Sequence, residues 1–82
     1  MNKILVTFYL PCIDEQYDMF VPINMNVKKI ISLIQNTIVE ETDGGYMVNN
    51  NAVLIDANGN IVNSNNIVKF SGLTNGCKVI LY

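Results

Sequence analysis

Chemistry in this sequence would have to come from a short set of side chains. The chain has no histidine, so the commonest general acid–base group and metal ligand is missing. The carboxylates Asp14 and Glu15 are adjacent, but they sit in a break between two apolar runs, where both are expected to be solvent-exposed. A working acid–base pair needs two environments that push the pKa values apart. The thiols Cys12 and Cys77 belong to no CxxC motif and have no histidine to activate them. The Asn-Gly steps, Asn58-Gly59 and Asn75-Gly76, read as turns. A phosphate loop would need more glycines and a following Lys-Ser or Lys-Thr. No catalytic residue, no cofactor-binding residue and no metal ligand is expected, so the chain is read as a non-enzyme.

Composition narrows the classes further. Of 82 residues, 50% are hydrophobic and 15% charged, which suits a folded globule rather than a disordered chain. One domain spanning residues 1–82 is expected. Seven acids against five lysines give a net charge of −2, and no basic stripe runs along the sequence. The electrostatic term that dominates nucleic-acid affinity is therefore absent. The first ten residues lack the long apolar segment and cleavage site of a signal peptide, and no run of ~18 apolar residues occurs. A soluble, cytoplasmic protein with no direct membrane insertion is the expectation.

The elements that would position any functional side chain follow from periodicity. Lys3 to Leu10 alternates Ile4, Val6, Phe8 and Leu10 against Leu5, Thr7 and Tyr9, a period of two that specifies a strand. After Pro11 to Glu15, a second alternating run from Gln16 to Ile23 places Tyr17, Met19, Val21 and Ile23 on one face, which predicts a hairpin. Asn26 precedes Val27, Ile30, Ile34 and Ile38, spaced by three, four and four, with Ile31 and Leu33 widening the stripe. That is an amphipathic helix capped by Asn26 and ending near Glu41, before Gly44-Gly45. Tyr46 to Asn51 reads as a polar connector. A short strand from Ala52 to Asp56, a type I′ turn at Asn58-Gly59, the apolar pair Ile61-Val62, one helical turn at Ile67 to Phe70 and a last strand from Cys77 to Tyr82 complete the order.

A hairpin, a crossover helix and further strands in ~80 residues specify an α+β fold of the β-grasp type. It has a mixed sheet of four to five strands, the first and last parallel neighbours at the centre, and one helix packed across one face. This layout sets Cys12 and Cys77 at opposite ends of the sheet. About eight residues at ~3.3 Å each give ~25 Å, far beyond the ~7 Å limit for a disulfide. Free thiols are expected.

Several phrases resemble ubiquitin-like proteins at corresponding places: Ile4-Leu5-Val6, Asn26-Val27-Lys28-Lys29-Ile30, Leu54-Ile55 and Gly72-Leu73-Thr74-Asn75-Gly76-Cys77-Lys78-Val79-Ile80-Leu81. Tyr17-Asp18-Met19-Phe20-Val21-Pro22, with the Asn75-Gly76 ending, resembles the YukD group of bacterial ubiquitin-like proteins. That resemblance implies a small accessory or regulatory protein linked to type VII secretion, with a protein of that apparatus as its partner. Ubiquitin and the sulfur carriers act through a terminal Gly-Gly. Here the sequence ends at Tyr82 and its Gly44-Gly45 lies mid-chain, so conjugation is not expected. A carrier acting without a terminal Gly-Gly stays open as an alternative.

Strand alternation then points to a surface. If Ile4, Val6, Leu54, Val79 and Leu81 face the helix, the opposite face carries Leu5, Thr7, Tyr9, Ile55, Ile80 and Tyr82, flanked by Phe20. A solvated sheet face is ordinarily polar, whereas an apolar patch with a polar rim marks an interaction site. Leu5, Tyr9, Phe20, Ile55, Ile80 and Tyr82 are the expected partner-binding residues. In the ubiquitin-like resemblance, Ile55 and Ile80 to Tyr82 fall where ubiquitin presents its hydrophobic recognition patch. A homodimer contact is the alternative use of the same face.

Overall fold

Alternating burial along the first strand sets the architecture. In a computed structural model, which describes residues 2–82, β1 (Lys3–Leu10) buries Ile4, Val6, Phe8 and Leu10 and leaves the residues between them partly exposed. β2 (Glu15–Pro22) runs antiparallel to it, pairing Lys3 with Pro22 and Leu10 with Glu15. The amide of Ile23 donates to the Asn2 carbonyl at 3.0 Å. By the alternation of an antiparallel ladder, the Pro22 nitrogen therefore points to the free edge, where a missing N–H costs nothing.

Helix α1 (Val27–Glu41) follows. Asn26 is extended at its N-cap, and its side-chain oxygen accepts from the Lys28 amide at 2.9 Å, as Asn at this position should. Val27, Ile30, Ile31, Ile34 and Ile38 lie buried in one cluster with the inward residues of the sheet. Leu33 does not widen that stripe as its spacing suggested; at 39% exposure it lies off the buried face.

The helix ends at Thr42 in a Schellman motif. The Gly44 amide reaches the Val39 carbonyl at 3.0 Å and the Asp43 amide reaches Glu40 at 3.2 Å. The first left-handed residue is Asp43, at φ 53°, rather than one of the glycines. A carboxylate with a Cβ in that conformation, at the negative end of a helix, is unfavourable on two counts. Asp43→Gly is expected to raise stability by about 0.5–1 kcal/mol, read from the urea midpoint. An unchanged or lower midpoint would remove this account of the cap.

The rest of the chain completes a four-stranded sheet ordered β2-β1-β4-β3. β4 (Cys77–Leu81) lies parallel to β1, with Val6 opposite Cys77 and Tyr9 opposite Ile80, and β3 (Leu54–Ile55) is antiparallel to β4. The mixed sheet with its central parallel pair is the β-grasp arrangement expected from the sequence. β3 is shorter than Ala52 to Asp56, and at its C-terminal end this is because Asp56 leaves the ladder to build a loop. Its carboxylate accepts from the amides of Asn58 and Asn60, both at 2.9 Å. The turn is consequently not type I′. Gly59 has φ 84° but Asn58 is not left-handed, and the Gly59 amide donates to the Asp56 carbonyl at 3.0 Å, a type I turn followed by a left-handed glycine. Ile61 rejoins β3 through a single bridge to Ile55, and a 3-10 turn (Val68–Phe70) forms where one helical turn was expected.

Tyr46 to Asn51 is not simply a polar connector. Tyr46 belongs to the core, and its hydroxyl donates to Gln35 Oε1 at 2.8 Å. The same oxygen accepts from the Asn49 amide at 2.7 Å, while Gln35 Nε2 donates to the Asn49 carbonyl at 3.2 Å. A buried amide side chain thus ties the connector to the helix, and burial pushes the Tyr46 hydroxyl pKa above its ordinary value.

Candidate interaction surface

The sheet face turned away from α1 is ordered by strand register into three transverse rows. Across the first, Leu5 stands opposite Phe20. The second sets Asp18 opposite Thr7 and Thr7 opposite Lys78. The third runs Gln16, Tyr9, Ile80, Ile55 and, through the bridge, Ile61. Antiparallel and parallel partners share a face, so each row is a line of neighbouring side chains.

The expected six-residue patch is therefore divided. Tyr9, Ile80 and Ile55 are brought together, each partly exposed, and Ile61, 68% exposed, extends them. Leu5 and Phe20, the latter 64% exposed, form a separate pair about 13 Å away along β1. Between them the Thr7 hydroxyl donates to Asp18 at 2.6 Å. Tyr82 is 70% exposed and lines a groove of about 480 Å³ with Pro11, Cys12, Tyr46 and Met47 at the end of the sheet.

The sequence places Ile61 in a short apolar pair with Val62 but does not assign it to this face, because two apolar residues after a turn are too few to show which one points outward. The hairpin itself contained the cue: closing Asp56 to Asn60 puts Ile61 opposite Ile55. Both apolar groups are held by polar locks. The Tyr9 hydroxyl donates to Asp14 at 2.9 Å, and that bond to a carboxylate raises its pKa. The Leu5 amide donates to Asn75 Oδ1 at 2.8 Å, and the Leu5 carbonyl accepts from Gly76 at 2.7 Å. The Asn75-Gly76 turn thus does more than reverse the chain, for it fastens the start of β4 to β1.

The chemistry this arrangement offers is contact. Asp14 and Glu15 are exposed, and Asp14 is engaged by Tyr9. Among the described residues no group of three or more His, Cys, Asp or Glu could hold a metal ion. Cys12 and Cys77 are free thiols. The register sets Cys77 beside Val6, while Cys12 lies beyond Leu10 at the far end of β1, so about 13 Å of strand stands between them. No helix of the described residues is long and apolar enough to cross a membrane.

Neither a protein-family model nor a curated protein sequence matches the chain. Solved structures do. An N-terminal ubiquitin-like domain in the 4931431F19Rik protein aligns at a TM-score of 0.75 and 22% identity, over 99% of this chain and 74% of that one. The ubiquitin-like domain of the Mycobacterium tuberculosis type VII secretion system protein ECCD1 aligns at 0.74 and 13% identity, over 99% and 98%. A chain of the MycP5-free ESX-5 inner membrane complex aligns at 0.80 and 9% identity, covering all of this chain but only 21% of that larger one. With the sheet order, the helix across one face and the central parallel pair, these likenesses show that the chain has the ubiquitin-like β-grasp fold.

Proposed function

We propose that this chain is a non-enzymatic protein-interaction module of a bacterial type VII secretion system, an accessory or regulatory component that docks a protein of the apparatus through the outer face of its sheet. In this reading residues 1–82 act as one unit on the cytoplasmic side. The row Tyr9, Ile80, Ile55 and Ile61 carries the reading, because four apolar side chains in line are not what a solvated sheet face needs. The type VII likenesses support the choice of partner class. The Leu5–Phe20 pair and Tyr82 are further contact candidates at the margins of this surface.

Ile55→Glu and Ile80→Glu, tested against purified components of the secretion apparatus of the same organism, are expected to weaken binding tenfold or more, as about 1.4 kcal/mol or more at a central contact would. Both positions are partly exposed, so melting temperature should hardly change. Equal binding by the variants would exclude this face. Binding by none of the components, with a dimer in sedimentation that either variant splits, would assign the face to a second copy.

A further inference from the structure

The charges of this molecule are sorted by end rather than mixed over its surface. Lys3 begins β1 opposite Pro22, and the next residue, Ile23, accepts from the Lys69 amide at 2.8 Å. Lys28 and Lys29 begin α1, and the Lys28 amide reaches Ser64 at 3.1 Å, on the segment leading to Lys69. Four of the five lysines, from three elements and all exposed, therefore gather at one end. Asp14 and Glu15 at the hairpin tip, with Glu40, Glu41 and Asp43 at the far end of α1, put five of the seven carboxylates at the other.

The helix reinforces this polarity. Its first turn holds no acid and its last turn no base, so the partial charges of its ends add to each pole. The basic end also exposes two aromatic rings. Phe70 is 69% exposed with the Lys69 ammonium 5.7 Å from its centroid, and Phe20 lies two residues before Pro22.

We infer that this end adsorbs to an anionic lipid bilayer, with the lysine ammonium groups against lipid phosphates and Phe70 at headgroup depth. The net charge of −2 does not forbid it. The poles are separated by roughly the length of β1, about 26 Å, some three Debye lengths at physiological salt, so the acidic end is screened from a surface that the basic end touches. A bilayer stacks anionic charge directly above an apolar layer, and lysines beside exposed rings match that order. The contact is peripheral. It uses a different part of the molecule from the Ile55–Ile80 row, so docking and adsorption can occur together.

Co-sedimentation with vesicles containing phosphatidylglycerol, compared with phosphatidylcholine alone, tests this. Binding is expected on the anionic vesicles only and should be lost at high salt. At about 1 kcal/mol per lysine near the surface, Lys28→Gln and Lys69→Gln should each reduce partitioning about fivefold, while Phe70→Ser reduces it without changing the salt dependence. Glu40→Gln, Glu41→Gln and Ile55→Glu should leave it unchanged. All these side chains are at least partly exposed, and circular dichroism checks that each variant is folded. Equal binding to neutral vesicles, or no loss in the lysine variants, would overturn the inference. So would self-association without vesicles that either Lys69→Gln or Glu41→Gln abolishes, since the basic end would then be meeting the acidic end of a second copy.

Discussion

Ile34→Ala is expected to cost about 2–5 kcal/mol, read from urea unfolding with the m-value held near that of the parent. Ile34 is 1% exposed at the middle of the buried stripe of α1, and it belongs to the same cluster as Phe8, Val6 and Val79. Removing its three outer carbons loses their transfer free energy and opens a void that β1 and β4, held by ladders on both sides, cannot collapse to fill. An 82-residue chain has roughly 4–12 kcal/mol in all, so this one change takes a large share. A loss below about 0.5 kcal/mol would place the helical stripe outside the core.

Gln35→Leu is the second large effect, and its cause is polar. Leucine fills nearly the same volume, so little cavity forms, but the Tyr46 hydroxyl loses its acceptor in a buried site and the Asn49 amide loses one near the surface. A cost of about 1–3 kcal/mol is expected, most of it the desolvation of the orphaned hydroxyl. Tyr46→Phe in the Gln35→Leu background should then recover part of the loss, a coupling that a double-mutant cycle measures. If Gln35→Leu matches or exceeds the parent, the amide contributes nothing to holding the connector.

The sequence carried the regular elements well because their signals are local. The alternation of β1, the three-four-four spacing from Val27 to Ile38 and the Asn26 cap each reappear in the structure at or within a residue or two of the expected bounds. Gln35 was not legible, since a glutamine beside an isoleucine stripe looks like its solvent margin until Tyr46 folds back onto it. The same limit applied to the outer face. Period two correctly turned Leu5, Tyr9, Ile55 and Ile80 away from the helix, but the division into rows depends on register, which pairs Thr7 with both Asp18 and Lys78. Register is a property of two strands at once; between β1 and β4 the Asn75 and Gly76 bonds to Leu5 fasten it, and between β1 and β2 the hairpin loop does. The loop at Asp56 to Asn60 departed from expectation for a related reason: one side-chain carboxylate bonding two amides outweighed the Asn-Gly preference.

The pairing of Val6 with Cys77 joins segments far apart in the sequence, with β2, α1 and β3 all lying between them. β1, β2 and α1 can form a hairpin and helix from neighbouring residues, but one edge of β1 stays open until Cys77 to Leu81 dock beside it. Closing so long a loop is slow, and a strand rich in Ile, Leu, Val and Phe left unpaired is a target for chaperones and for another unfolded chain. Folding of this domain thus waits on the docking of a single strand, so a change that slows the docking of β4 leaves the β1 edge open to other chains for longer.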